Sequence, residues 1–171
     1  MGPISTEIEV DVSREEAFAV ISDLARRPSF TDHFLTDFHL TRLEARGVGA
    51  GARFRVAGPL RSVWMDTAVV AVEPPFKLVE EGRGGRTNRI RSHTVWEVTA
   101  GGGALTRVRV SHWTEPGPLD RGLELLSAGS FWEARGWRQA LHRLRDLLES
   151  DQATAAPVAV AGGNRHATGI R

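Results

Sequence analysis

His112 is the residue whose type and setting most invite chemistry. It lies in RVRVSHW, Arg107 to Trp113, where a two-residue period puts Val108, Val110 and His112 on one face and Arg107, Arg109 and Ser111 on the other. An imidazole titrates near neutrality, so on an apolar face it can act as a general base or as a donor that orients a ligand carbonyl or hydroxyl. It can equally be a core ring satisfied by a neighbouring hydroxyl or backbone carbonyl. The segment Arg89 to Thr99 alternates in the same way. Pairing Val98 with Thr106 across the link at Gly101–Gly103 sets Trp96 opposite Val108, Thr94 opposite Val110 and Ser92 opposite His112. Ser92, Thr94 and Trp96 then share the face of His112. Arg89, Arg91, His93, Glu97, Arg107 and Arg109 face water, with Glu97 beside Arg107 as an exposed pair.

Glu133 is the second candidate. It falls on an apolar helical stripe between Leu126 and Trp137, where a carboxylate must find a donor or keep its proton, unless it sits at the rim or a kink at Gly129 turns it to solvent. Asp32, His33 and Asp37 lie on one short aromatic segment and could gate a cavity mouth, or be a cap and a surface pair. Two carboxylates and one histidine fall short of a metal set, and no HExxH pattern occurs, so no metal and no cofactor are expected. Asp66 and Glu80 are reserve candidates, because their strands are apolar on either parity. Two phosphate-binding decoys remain. GVGAGA (Gly47 to Ala52) leads into a strand rather than a helix N-terminus, which removes the amides that would hold pyrophosphate. GRGGRTNRIR (Gly82 to Arg91) could clamp an anion or be a solvated loop.

The elements that position these residues follow from pattern. Ser5–Val12 reads as a half-buried strand, and Ser13 with Glu16 forms a capping box that opens a helix bearing Phe18, Ile21 and Leu24. Phe30, Phe34 and Phe38 recur every fourth residue, predicting a second short helix over Ser29–Phe38. Strands follow at His39–Ala45, Arg53–Gly58, Trp64–Glu73, Phe76–Glu81, Arg89–Thr99 and the RVRVSHW segment, divided by turns at Gly47–Gly51, Pro59–Ser62 and Pro74-Pro75 and by a loop over Gly82–Asn88. Leu119–Glu149 reads as one long helix with a stripe of Leu119, Leu123, Leu126, Trp137, Leu141, Leu144 and Leu148. Residues 151–171, rich in Ala, Gly and Thr without period, are expected to be a disordered tail after a single domain at 1–150.

Composition bounds the partners. The 171 residues hold 22 basic and 21 acidic side chains, so no global field recruits nucleic acid or an anionic membrane. All the basic residues except Lys77 are arginine, which weakens arguments from local arginine clusters. The absence of cysteine removes disulfides and thiolate chemistry and fits a reducing compartment. No run has the length of a membrane span and the N-terminus lacks a signal pattern, so a cytoplasmic protein without stable membrane insertion, monomer or homodimer, is expected.

By layer logic, one antiparallel sheet must cover its apolar face, and only the last helix is long enough to do so. At this point the chain resembles the polyketide cyclase/dehydrase and lipid-transport branch of the START-like (SRPBCC, Bet v 1-like) superfamily. The likeness is carried by IEVDVSREEAFAVISDLARRPSF, GARFRV, VVAVEPPFKLV and GPLDRG leading into ALHRLRDLLE, and covers roughly Ile4 to Ser150. It implies an α+β helix-grip fold: a curved seven-stranded antiparallel sheet wrapped around the long C-terminal helix, with two short helices after the first strand. Members hold an apolar molecule between sheet and helix; some cyclise or dehydrate polyketides, others only bind or carry lipids, quinones or hormones.

The leading expectation is a binder of a hydrophobic small molecule, polyketide-, lipid- or quinone-like. Phe34, Trp64, Trp96 and Trp132 would form apolar wall, and Ser92, Thr94, His112 and Glu133 would fix orientation. The alternative is a metal-free cyclase or dehydratase in which His112 removes a proton next to a ketone and Glu133 or Asp66 donates one. A third reading is an interaction module with a filled core.

Overall fold

The computed structural model describes residues 3–58, 62–85, 88–115, 129–150 and 159–160. The chain begins with strand β1 (Ile4–Val10), then helix α1 (Arg14–Ile21), a 3-10 turn (Leu24–Arg26) and the four-residue helix α2 (Pro28–Thr31). Strands β2 (Leu35–Leu40), β3 (Gly51–Val56), β4 (Val63–Glu73), β5 (Lys77–Gly84), β6 (Ile90–Ala100) and β7 (Thr106–Glu115) follow, then helix α3 (Gly129–Glu149) and a two-residue strand β8 (Ala159–Val160). The spatial order is β1-β7-β6-β5-β4-β3-β2-β8. Seven strands are antiparallel neighbours, which is the helix-grip arrangement expected, and β8 adds to β2 in parallel.

Local chemistry accounts for the start of α1. The Ser13 hydroxyl accepts the Glu16 amide at 3.2 Å while the Glu16 carboxylate accepts the Ser13 amide at 3.0 Å, so two otherwise orphaned donors are satisfied reciprocally. The second helix differs from expectation: it stops at Thr31, and Phe38 lies on β2 rather than on a helix. A register shift between Thr36 and His39, where Asp37 adopts φ 52°, resets the strand's parity, so Leu35 and Leu40 are both buried. That irregularity hid the strand from a two-residue pattern. The same break separates His33 from Asp37, which bonds Arg55 instead.

The β6–β7 hairpin keeps the predicted facing but shifts by two residues. β6 continues to Ala100, opposite Thr106, so Val98 faces Val108, Trp96 faces Val110 and Thr94 faces His112. A shift of two preserves which side chains point inward. On the outer face Arg107 pairs with Glu9 at 2.9 Å and Arg109 with Glu7 at 2.6 Å, so Glu97 is not the partner of Arg107.

The core lies between the inner sheet face and α3 together with α1 and α2. Val10, Ile21, Leu24, Phe30, Leu78, Trp96, Val98, Val108, Val110, Leu141 and Leu144 are all buried. Of the predicted long helix, residues 129–149 are present, and Leu119, Leu123 and Leu126 fall outside the described residues. Within 151–171, Ala159–Val160 pair with His39–Leu40, and the rest of the expected tail lies outside the described residues. Among the described residues no helix is long and apolar enough to cross a membrane.

Candidate functional site

Across the inner face the strand registers align side chains in rows. One row runs Val69, Glu80, Thr94, His112 and Ile4 from β4 to β1. The row beside it on the apolar side holds Leu78, Trp96, Val110 and Thr6, and the row on the other side holds Thr67, Gly82, Ser92 and Thr114. Three polar side chains on three adjacent strands thus form a line about 5 Å apart from strand to strand, with apolar packing on one flank and hydroxyls on the other.

At the centre, Thr94 Oγ1 lies 2.9 Å from His112 Nδ1, and Thr94 is itself buried. The imidazole is half-buried and lies against the Trp137 indole of α3, with centroids 5.4 Å apart. Removal from water, with a smaller contribution from His93, pushes the His112 pKa down to about 4. The ring is therefore neutral at pH 7 and offers one N–H and one lone pair.

The Glu80 end of the row is closed. Arg27 Nη2 meets Glu80 Oε1 at 2.6 Å, with both side chains almost wholly buried, and Trp96 Nε1 donates to the same oxygen at 3.1 Å. Arg27 also donates to the Ile21 carbonyl at 3.2 Å and stacks its guanidinium 4.8 Å from the Trp96 ring centre, while its Nε has no partner. Glu80 thus points inward and Asp66 outward, toward Arg53 at 3.8 Å, which settles the facing of both reserve candidates.

Trp137 gathers the aromatic residues. Its ring lies 5.1 Å from Phe34, 5.7 Å from Trp96 and 5.4 Å from His112. Gly136 allows this approach, since a Cβ there would sit 2.7 Å from the Phe34 ring. The placements of the remaining candidates follow. Phe34, Ser92 and Thr94 are buried around the row. Trp96 is fully enclosed among Phe30, Trp137 and Arg27, so it is a support beneath the row rather than an accessible wall. Trp64 is a correction: it is 40% exposed on the outer face between Arg53 and Arg55, because Met65 and Val69 take the inward parity of β4. Trp132 is 47% exposed and does not cover the row. Glu133 stands one turn before Trp137 on the same helix face and is half-buried.

His33 Nε2 donates to the Gly136 carbonyl at 3.1 Å, its Nδ1 accepts from Arg143 at 3.1 Å, and Arg143 also pairs with Asp32. Among the described residues no three metal-ligating side chains come together. Sequence reasoning missed Arg27 and Trp137. Trp137 carried a signal, its place on the apolar stripe four residues after Glu133, whereas Arg27 looked like one more arginine beside Pro28.

Comparison with known proteins agrees with this fold. No curated protein matches the chain. Many solved structures share the fold, three of them as follows. The KanY protein (ms6282) has a TM-score of 0.69 at 18% identity, over 88% of this chain and 100% of that one. The protein TTHA0849 from Thermus thermophilus has a TM-score of 0.65 at 15% identity, over 85% and 96%. A START superfamily protein from Mycobacterium smegmatis has a TM-score of 0.59 at 18% identity, over 86% and 99%. The family model described as polyketide cyclase / dehydrase and lipid transport matches residues 1–149, and with the sheet, the gripping helix and the inner row in view, the chain belongs to that family.

Proposed function

We propose that the chain binds a hydrophobic small molecule, polyketide-, lipid- or quinone-like, between the inner sheet face and α3. The observation that carries this reading is the neutral, half-buried His112, tied to Thr94 and lying against Trp137 on a face that is otherwise largely apolar. Such a group gives an apolar ligand one directed hydrogen bond, to a carbonyl or hydroxyl oxygen, at little electrostatic cost. Phe34 and Trp137 supply aromatic surface beside it, Ser92 lies one row away, and Glu133 extends the helix face toward the ligand. Trp96 acts from below by fixing Trp137.

Binding accounts for these groups better than turnover does. A base whose conjugate acid has a pKa near 4 has little driving force to take a proton from carbon at neutral pH. Glu80, the carboxylate in the same row, is held by Arg27 rather than free to shuttle protons. The reading is tested with the environment-sensitive dye 1-anilinonaphthalene-8-sulfonate. A saturable fluorescence rise is expected with the native protein, and Trp137→Ala should weaken it at least about tenfold. Because Trp137 is also core, His112→Leu is measured in parallel; it should retain the dye but lose preference for a ketone-bearing competitor over its deoxy analogue. No saturable uptake by the native protein overturns the reading.

A further inference from the structure

We infer that the outer face of the sheet carries a second site, for a small phosphate-bearing anion, distinct from the apolar site within. Arg83 on β5 lies directly opposite Arg91 on β6. Like charges facing each other across neighbouring strands are destabilising unless something neutralises them. Among the described residues neither guanidinium has a carboxylate partner, in contrast to Arg53, Arg107 and Arg109 on the same face, which pair with Asp66, Glu9 and Glu7. The acids next in register, Asp66 across from Arg83 and Glu115 across from Arg91, turn instead to Arg53 at 3.8 Å and His93 at 3.9 Å. Balancing charges is therefore the habit of this face, and the Arg83–Arg91 pair departs from it.

The pair borders a hollow of about 710 Å³ that Arg42, Thr41 and Asn88 also line. Its floor is shallow in side chains for a specific reason: Gly51 of β3 faces Ala68 of β4, so two of the smallest residues meet where longer ones would fill the space. Arg42 stands on the far rim, again without a carboxylate partner among the described residues. Three guanidiniums, the Asn88 amide and the Thr41 hydroxyl offer donors suited to phosphate oxygens, the guanidiniums in planar, bidentate form. Asp66 and Glu81 line the hollow as well, and Glu81 faces His93 at 3.8 Å. These carboxylates disfavour a bare polyanion over the floor and can accept from hydroxyls on the rest of a ligand. The class that fits is a phosphate ester of a hydroxylated small molecule, its phosphate between Arg83 and Arg91. In this placement Arg83, Asn88 and Arg91 of the GRGGRTNRIR segment act together as an anion clamp.

The test is calorimetric titration of the full chain at low ionic strength with inorganic phosphate, glycerol 3-phosphate and glycerol. Saturable binding is expected for both phosphates, tighter for glycerol 3-phosphate, and none for glycerol. Arg83→Gln with Arg91→Gln should weaken glycerol 3-phosphate at least tenfold, whereas Arg109→Gln, at a pair already neutralised by Glu7, should leave it within twofold. Both variants are surface changes, and circular dichroism checks that they fold. Absence of saturable phosphate binding, or equal weakening by Arg109→Gln, overturns the inference. The dye titration is run on the same double variant. Unchanged dye uptake with lost phosphate binding separates this site from the apolar one.

Discussion

Replacing Glu80 with alanine isolates the cost of an uncompensated charge in this core. In the native chain the Arg27 guanidinium is held by Glu80 at 2.6 Å, the Ile21 carbonyl at 3.2 Å and the Trp96 ring face, and its Nε is already unpartnered. Removing one partner of a buried pair typically costs about 3–5 kcal/mol, because the remaining charge stays in a medium that cannot solvate it. The substitution also strips the acceptor from Trp96 Nε1, a buried donor worth about 1–3 kcal/mol when left unsatisfied. Allowing for partial relaxation, Glu80→Ala should cost about 4–6 kcal/mol, a fall in Tm of roughly 10–20 °C for a domain of this size. Urea unfolding followed by tryptophan fluorescence gives the number directly. The double variant Arg27→Met, Glu80→Leu removes both charges and should recover at least about half of the loss, since apolar replacement of a buried pair is often close to neutral. A cost below about 1 kcal/mol for Glu80→Ala, the scale of an exposed pair, would refute the reasoning. So would a double variant as unstable as the single.

Three further outcomes follow from the site. Burial holds the His112 pKa near 4, below its unfolded value near 6.5, so the unfolded chain binds the proton first. Stability contributed by the neutral ring is complete above about pH 6.5 and is lost as pH falls toward 4, by at most about 3 kcal/mol. His112→Gln should flatten that part of the stability-versus-pH curve, and urea midpoints at pH 7.5, 6, 5 and 4 measure it; a parallel curve would show that the ring is not responsible. Burial also lowers the His33 pKa, so the residual slope of His112→Gln should fall further in His33→Gln. Gly136→Ala would bring a Cβ to 2.7 Å from Phe34, and the resulting overpacking should destabilise by about 1–3 kcal/mol although alanine favours helix; an increase in Tm would contradict the packing.

Much of the fold was legible because its signals are local and periodic. The Ser13–Glu16 box, the alternation of β1, β6 and β7, and the leucine stripe of α3 each follow from one chemistry repeated along the chain. What escaped was non-periodic. The Asp37 irregularity in β2 interrupts parity, so Phe30, Phe34 and Phe38 imitated a helix although only Phe30 lies on one. Trp64 looked like an inner wall because β4 is apolar on both faces, and only its pairing with Arg53 and Arg55 across strands shows which side it takes. For the candidate site, His112 and Thr94 were assigned to one face from alternation alone. Arg27 was out of reach, since its partner Glu80 is 53 positions away and neither residue advertises the other.

The pairing of Ala159–Val160 with His39–Leu40 bears on self-association. A sheet of this kind ends in two strands with free backbone donors and acceptors, each a template on which another chain can add. Here the two ends differ. At β1, Glu7 and Glu9 are taken up in ion pairs with Arg109 and Arg107 of β7, while at β2 Ala159–Val160 lie over the rung that a second copy would otherwise occupy. Ala159–Val160 thereby serve as a built-in competitor for the edge they cover, and two small residues in extended form suffice for that.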